Sequence, residues 1–386
     1  MPPLEAWKKV HITSEFFEKD PHGQFSCQKC HGGNPGGSDK ESAHQGIVQF
    51  PSEEWETYCL ECHSSDPVYN RFVNFDSNLH KTQEGYFERF RQRAGYDIRD
   101  DETLLHEFNN ECGKCHATCG QCHIGRPISV GSGFLDGHLF KGAPETKNNC
   151  VACHGARVGA EYYNENEYTD ADGNRVKGDV HLYSSLMAKC DFCHDGHEMH
   201  GDGTELDYRY DPDDAQAPRC EECHEDDASA NNYHTMHWSG NAPKLSCQVC
   251  HSQPYKSCNS CHVGGEGITG SPYETLKIGK NYMKSDRYDS DYILVRHIPI
   301  APDTYEAWGV DDLPNYESSE PTWKYATPHN IQLETAQTTV GEGEGCGSKC
   351  HGSDYYLRES DVQLYNDSDY VDREIEANRD VFMEME

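Results

Sequence analysis

Hydrophobic positions are sparse along this chain, and few of them follow a periodic pattern. In the segment 68–105, aromatic residues and helix formers (GYFERFRQRAGY) place apolar positions near a 3.6-residue period, which predicts a short helix. The stretches HIPIAPDTYEAWG and PTWKYATPHNIQ combine proline with aromatic residues and predict extended chain laid across other surfaces. No apolar run approaches the roughly 18 residues of a membrane span, so we predict no transmembrane segment.

The composition agrees with this weak patterning. Only 35% of the 386 residues are hydrophobic, the mean hydropathy is −0.90, and 20 residues are cysteine. Because so few side chains can be buried, they would struggle to offset the conformational entropy that is lost on folding. We therefore expect something other than side chains to supply much of the core.

The twenty cysteines form ten regular motifs. Nine are Cys-x-x-Cys-His units, and the tenth has one extra residue between its cysteines. Cys-x-x-Cys-His is the attachment pattern of c-type haem, in which two thiols take the vinyl groups as thioethers and the histidine ligates the iron. The paired cysteines are Cys27 and Cys30, Cys59 and Cys62, Cys112 and Cys115, Cys119 and Cys122, Cys150 and Cys153, Cys190 and Cys193, Cys220 and Cys223, Cys247 and Cys250, Cys258 and Cys261, and Cys346 and Cys350. The sequence thus predicts ten covalently bound haem c groups, and these would supply the core.

Three other interpretations of paired cysteines compete with haem: zinc sites, redox dithiols and a disulfide framework. None of them requires a histidine directly after the second cysteine. With 23 histidines in 386 residues, that placement after all nine pairs has chance odds of about one in 10¹¹. For the tenth pair, before His351, a small disulfide loop or a metal site remains an alternative.

Two pairs of motifs are closely spaced. The run 112–123 reads CGKCHATCGQCH, with only Ala117 and Thr118 between its two units, and the run 247–262 holds a second close pair. Haems anchored so near each other in sequence must lie nearly in contact. We interpret each close pair as a tight link in a chain of haems.

The histidine count matches bis-histidine ligation. Each motif supplies one proximal ligand: His31, His63, His116, His123, His154, His194, His224, His251, His262 and His351. Thirteen other histidines remain for the ten distal positions. Among them, His197 is the weakest candidate because it follows His194 by only three residues. Two histidine ligands favour low reduction potentials compared with a histidine and a methionine.

The motifs divide the chain into three predicted parts. Residues 1–130 form an N-terminal four-haem module, 131–263 a five-haem module, and 264–386 a one-haem arm with an acidic tail. We expect a multihaem fold of sparse short helices and few strands, with mostly coil wrapped around the ten haems. The tail either wraps a neighbouring subunit or is solvated, and we favour the second.

The formal charge of −34 disfavours nucleic acid and anionic membranes as partners. It keeps an exported protein soluble, and it would also attract metal cations or cationic redox partners. The N-terminal stretch MPPLEAWKKV lacks the hydrophobic region of a signal peptide. Because haem is normally attached after export, we expect an extracellular or cell-surface protein, with the periplasm as second choice, exported by a signal peptide absent from this chain.

The run CGKCHATCGQCH, followed by GHLF, CVACHGARVGAEY, DVH, CDFCH, EMHG and CQVCHSQPYKSCNSCH, resembles extracellular and periplasmic multihaem cytochromes of metal-reducing prokaryotes, including filament-forming ones. The resemblance covers about residues 20–350 and extends distantly to the octahaem tetrathionate reductase and hydroxylamine oxidoreductase superfamily. It implies haems in alternating stacked and T-shaped pairs. The catalytic Cys-x-x-Cys-Lys motif of pentahaem nitrite reductases is absent here, and the Cys-x-x-x-Cys-His unit is a second departure.

The resemblance also implies distal ligands at several of the remaining histidines. They are His44, His80, His138, His181, His200, His234 and His237, with His297 and His329 in similarly family-like strings. The further candidates are His11, His22 and His106.

Two functions follow from these expectations, and a third, structural role in haem storage or as a scaffold would leave the close motif pairs unexplained. In the first, the chain is an electron conduit that passes electrons between low-spin haems to redox partner proteins or to extracellular acceptors such as metal oxides and electrodes, and it polymerises as a filament in one version. In the second, it is a terminal reductase in which one haem keeps an open site for a metal oxide, nitrite, hydroxylamine or tetrathionate. We favour the first, in which the protein is not an enzyme.

Overall fold

The computed structural model describes residues 4–65, 68–134, 136–165, 177–230, 232–239, 242–254, 276–298, 300–345, 347–351, 354–362 and 367–384. The sites predicted at Cys258, Cys261, His262 and Cys346 lie outside these ranges. In the described ranges, no helix is both long enough and apolar enough to span a membrane.

Short helices dominate the secondary structure. The α-helices are α1 (Ala6–Lys9), α2 (Ser14–Lys19), α3 (Cys27–His31), α4 (Lys40–Ala43), α5 (Trp55–Tyr58), α6 (Leu60–His63), α7 (Val68–Phe75), α8 (Leu79–Thr82), α9 (Glu84–Ala94), α10 (Glu102–Glu111), α11 (Cys119–His123), α12 (Val151–His154), α13 (Ala160–Tyr163), α14 (Val180–Tyr183), α15 (Cys190–Cys193), α16 (Gly196–His200), α17 (Glu221–Ala230), α18 (Asn232–Thr235), α19 (Gln248–His251), α20 (Gly347–Cys350) and α21 (Ser368–Ala377). Single 3₁₀ turns occupy Pro21–Gln24, Pro51–Glu54, Ile98–Asp100, Gly113–Cys115, Ile128–Val130, Glu306–Trp308, Glu359–Val362 and Arg379–Val381, and π turns occupy Thr146–Cys150 and Gly155–Gly159. The strands are β1 (Trp238–Ser239), β2 (Ala242–Pro243), β3 (Leu276–Lys280), β4 (Tyr292–His297) and β5 (Trp323–Tyr325).

The chain forms two compact units. Unit 1 comprises Met1–Gly85, Asn109–Gly155 and Lys189–Arg209, and unit 2 comprises Tyr86–Phe108, Ala156–Ala188 and Tyr210–Glu386. Each unit draws on three separate stretches of chain, whereas the modules predicted from the sequence are contiguous.

Unit 1 has almost no side-chain core. Among its described residues, the buried apolar side chains are Phe16, Trp55 and Phe75. Its α-helices other than α7 have four to six residues, a length at which isolated helices are unstable in water. Packing between side chains therefore supplies little of what holds these helices in place.

Unit 2 has ordinary cores in two places. The first is the hairpin of α9 and α10, where Phe87 packs on Phe108 with ring centroids 4.8 Å apart. The second is an antiparallel sheet in the order β3-β4-β5, with Ile278 opposite Leu294 and Val295 opposite Tyr325. Because β4 is central and covered on both faces, its run YILVRH is largely apolar instead of alternating.

Alternate residues of β4 enter different clusters. One face carries Ile293 and Val295, which pack with Trp323, Tyr325, Leu357, Val362 and Val381. The other face carries Leu294, which packs with Val249, Leu276, Ile278 and Ala326. Full burial of one such side chain contributes about 1.5–3 kcal/mol, so this region can be stable on side chains alone. We call β3–β5 together with α21 the C-terminal core.

The acidic tail belongs to this core, which corrects the expectation that it is solvated or wraps a neighbour. Glu374, Asn378 and Val381 have no exposed surface. The Asn378 side chain donates a hydrogen bond to Thr322 Oγ1 (2.7 Å) and accepts one from the Trp323 backbone N–H (2.8 Å). The expectation was wrong because the tail is acidic overall, although α21 and the following turn carry apolar residues on the side that faces the core.

Candidate functional site

In α3 and α11, a helical turn places the two cysteines and the histidine of an attachment motif on one side. In α3, for example, the two cysteines are three residues apart and His31 follows at the fourth position. Residues three and four apart lie on the same face of a helix, so both sulfurs and the imidazole face the same way. The same arrangement occurs at α11, where His123 ends the helix.

Six motif histidines each face one of the spare histidines across a constant gap. The ring centroids are 6.0–6.1 Å apart in the pairs His22–His63, His31–His138, His80–His154 and His123–His200 of unit 1, and His181–His224 and His234–His251 of unit 2. Every pair therefore contains one predicted proximal ligand and one predicted distal candidate.

The constant separation fits one iron between two imidazoles. A bond from a metal to an imidazole nitrogen is about 2.0–2.1 Å, and that nitrogen lies about 1.1 Å from its ring centre, so two axial imidazoles have centroids about 6.3 Å apart. The angle between the ring planes varies from 16° to 77° among the pairs. If the rings stacked directly on each other, the distance between their centroids would change with the angle between their planes. Coordination to one metal instead fixes the centroid distance and leaves each ring free to rotate.

Hydrogen bonds at Nδ1 leave the Nε2 atoms available for this gap. On the motif side, backbone carbonyl oxygens accept from His31 (Val48, 2.8 Å), His123 (Lys141, 2.7 Å) and His251 (Gln332, 3.0 Å). On the other side, the Gly196 carbonyl lies 2.7 Å from His200 Nδ1. A histidine that ligates a metal usually donates its second ring N–H in this way, which fixes its tautomer and orientation.

Three of the distal candidates share a local sequence motif. An Asp or Asn two residues earlier accepts from the histidine backbone N–H and lies 2.8–3.1 Å from its Nδ1, at Asp20 and His22, Asn78 and His80, and Asp179 and His181. The signal was visible as DPH, NLH and DVH in the sequence. The same spacing at Asp195 and His197 caps α16 through backbone N–H groups, so it does not by itself indicate a ligand.

Burial keeps several of these rings neutral, the form that ligates a metal. Burial, with His154 and His194 nearby, lowers the pKa of His80 to about 4. Burial likewise lowers the pKa of His123 and His138. The pKa of His181 is raised instead, because its ring is hydrogen-bonded to the Asp179 carboxylate.

Thiols of different motifs also meet. Cys115 and Cys153 share a hydrogen bond that raises the pKa of Cys115 and lowers that of Cys153 to about 6. Cys150 is likewise hydrogen-bonded to Cys190, which lowers the pKa of Cys150 to about 7. In unit 2, the corresponding contact joins Cys220 and Cys247. Groups attached at these cysteines would therefore have neighbouring edges.

Three other predicted proximal ligands lie in the described residues but outside the six pairs. Burial lowers the pKa of His116, whose ring also contacts the Lys81 backbone. His194 Nδ1 lies 2.8 Å from Glu198 Oε2. His351 is exposed at the end of α20, and its backbone N–H donates to the Gly347 carbonyl.

The remaining distal candidates fall into two groups. His11, His44 and His106 are exposed, and His237 Nδ1 lies 3.1 Å from the Tyr233 carbonyl. The other two candidates have partners among buried side chains of unit 2. The backbone N–H of His329 donates to Glu161 Oε2 (2.7 Å), and His297 Nε2 lies 2.7 Å from Oε1 of the fully buried Glu374.

Each of the six histidine pairs offers two ring nitrogens, the number that a haem takes from a protein. Among the described residues, no three His, Cys, Asp or Glu side chains cluster as ligands of one metal ion. A tetrahedral zinc site needs such a cluster, whereas haem needs two axial nitrogens from the protein and brings its own four. In the pairs at positions 27, 59, 112, 119, 150 and 220, both cysteines are free thiols and not disulfides.

Comparisons of the chain with protein-family models, with curated proteins and with solved structures each returned no match. The assignment of function therefore depends on the geometry of the histidine pairs and on the attachment motifs.

Proposed function

We propose that this chain is a c-type cytochrome that carries ten haems and transfers electrons between them. The observation that carries the proposal is the set of six histidine pairs with centroids 6.0–6.1 Å apart, each made of one motif histidine and one other. Haem c, when bound, supplies reversible one-electron chemistry at its iron.

The protein residues supply position, ligation and shielding. A histidine on each side of the gap leaves no axial position for a substrate, which favours electron transfer over catalysis at these six sites. Phe140 stacks on one face of the His22 ring with a centroid distance of 3.9 Å. The thiol contacts between Cys115 and Cys153, and between Cys150 and Cys190, bring neighbouring attachment sites together.

The expected setting is the cell exterior or cell surface, with redox proteins, metal oxides or an electrode as electron acceptors. The charge of −34 suits cationic partners and mineral cations. A homopolymer remains an expectation from the resemblance to filament-forming cytochromes. The C-terminal tail does not support it, because Glu374, Asn378 and Val381 are buried within their own unit.

The test is a count of covalent haem and of its spin state. The pyridine haemochrome assay on the purified protein should give ten haems per chain, matching the ten motifs, and the oxidised protein should be low-spin at the six paired sites. His80→Ala removes one ligand and should convert about one haem in ten to a high-spin form, because its iron loses an axial nitrogen.

His197→Ala is the matched control, since His197 is exposed and outside the six pairs. It should leave the spectrum unchanged. Absence of covalent haem would refute the proposal. A fully low-spin His80→Ala protein would refute the pairing, and a high-spin fraction in the unaltered protein would favour a terminal reductase.

A further inference from the structure

We propose that Asp20 and Asp179 lower the reduction potential of the irons held by His22 and His181, and that Asn78 leaves the iron at His80 at a higher potential. The inference rests on the proposed function, because it concerns haems held by these histidines. It makes the three Asx residues positioning residues that tune the metal through the ligand.

The contact is the same at all three places, so their chemistry can be compared. The side-chain Oδ1 of Asp20, Asn78 and Asp179 lies 2.9, 3.1 and 2.8 Å, respectively, from Nδ1 of the histidine two residues later. The same oxygen accepts the histidine backbone N–H at 2.9 Å in each case. Both contacts hold the ring at one orientation.

A second anchor fixes each Asx side chain from a distant part of the same unit. Asp20 Oδ2 accepts the backbone N–H of Phe140 (2.7 Å), and Asp179 Oδ2 accepts that of Ile331 (3.0 Å). Asn78 uses its amide instead, donating to the Glu198 carbonyl (2.9 Å). All three Asx residues are at least nine-tenths buried, so water has little access to the accepting oxygens.

The difference lies in the charge of the acceptor. A carboxylate that accepts a ring N–H increases the basicity of the imidazole more than a neutral amide does. A more basic ligand stabilises ferric iron over ferrous iron and so lowers the reduction potential. A tenfold change in that preference corresponds to about 59 mV for a one-electron couple.

Exchange of Asp and Asn at these positions tests the inference, because the two side chains have nearly the same shape and cap helices equally well. The exchange also removes the second anchor, since an asparagine at position 20 cannot accept the Phe140 N–H through its amide nitrogen and a carboxylate at position 78 cannot donate to the Glu198 carbonyl. A retained low-spin signal is therefore the first check on each variant. Asp20→Asn should raise the midpoint potential of one haem, and Asn78→Asp should lower that of another. The readout is a redox titration of the holoprotein followed by electron paramagnetic resonance.

The ring angles help to assign the two signals. The planes of His80 and His154 are 77° apart, whereas those of His22 and His63 are 35° apart. Nearly perpendicular axial imidazoles give a low-spin signal with a large maximum g value, and more nearly parallel ones give a rhombic signal. Asn78→Asp should therefore shift the first kind of signal and Asp20→Asn the second.

Asp195→Asn is the matched control. Asp195 has the same position relative to His197, but it accepts backbone N–H groups at the start of α16, so its replacement should shift neither signal. Opposite shifts in the two test variants, with none in the control, support the inference. Unchanged midpoints in low-spin holoprotein would overturn it, and so would equal shifts in all three variants. Absence of low-spin haem from the unaltered protein would instead refute the proposed function.

Discussion

Unit 1 contains six attachment motifs, and its described residues bury three apolar side chains, whereas the C-terminal core packs two apolar clusters around β4. The histidines of the two regions also differ in what they face. In unit 1, His31 and His123 face other histidines across a 6.0 Å gap, while His297 in the C-terminal core contacts a buried carboxylate. If the chain binds haem as proposed, unit 1 is stabilised mainly by the bound haems and the C-terminal core by its own side chains.

The largest expected effect comes from making the full chain without haem attachment. Amide hydrogen exchange should then be unprotected in unit 1, because helices as short as α3 and α11 do not persist in water without a partner. The C-terminal core should keep protection that reflects much of its unfolding free energy, about 5–15 kcal/mol for an ordinary domain.

The holoprotein is the reference for this comparison, and in it both regions should be protected. Equal protection of α3 and of β4 in the haem-free chain would show that unit 1 has a side-chain core of its own. Loss of protection in β4 as well would show that the C-terminal core also depends on haem.

The next largest expected effect distinguishes a histidine beside a buried carboxylate from a histidine that faces another histidine. His297→Ala leaves the buried Glu374 side chain without its imidazole neighbour and, within the described residues, with only the hydrogen bond from Thr322 at Oε1. Removing one member of a buried pair costs about 3–5 kcal/mol. His181→Ala should cost less stability but should convert one haem to a high-spin form, because it removes an axial ligand. Denaturant unfolding measures the first change and electron paramagnetic resonance the second.

The double variant His297→Ala with Glu374→Gln is the control, because it leaves no unpaired charge and should recover much of the lost stability. If His297→Ala instead generates a high-spin haem, then His297 is a distal ligand, as the resemblance implied.

The sequence predicted the local part of the site but not its pairings. The Cys-x-x-Cys-His spacing favours a helical turn with its ligands on one face. The Asp-x-His and Asn-x-His patterns likewise indicate an acceptor for the N–H of the histidine ring. That His80 faces His154 depends on chain that returns after 74 residues, and no local pattern carries such information. Three-dimensional packing decides it.

The C-terminal core was missed for a different reason. The run YILVRH in β4 contains Tyr, Ile and Val, which are residue types favoured in strands. The mean hydropathy of −0.90 does not show this strand, because it averages over two unlike regions. Similarly, the apolar residues Ile375 and Val381 are separated by acidic ones that face solvent, and this made the tail look uniformly polar.

The smallest expected effect is a loss of stability at low pH that involves the α9–α10 hairpin of unit 2. Between α9 and α10, Asp97 is hydrogen-bonded to Arg99 (2.6 Å) and Arg91 (3.1 Å). The hydrogen bond from Arg99 is the main cause that lowers the pKa of Asp97 to about 2. Since the folded state depresses this pKa, the stabilisation is complete above about pH 4 and is lost as the pH falls towards 2.

The loss should be about 2 kcal/mol at most, since the pKa shift is nearly two units and the pair is partly solvated. Urea unfolding followed by far-ultraviolet circular dichroism at pH 5 and pH 2 measures it. Asp97→Asn should be less stable at pH 5 and should lose less between the two values, whereas Asp100→Asn, at an exposed neighbour, should behave as the unaltered chain. If Asp97→Asn and the unaltered chain lose the same amount, the α9–α10 hairpin does not depend on this carboxylate, and the distinction between the regions rests on apolar packing alone.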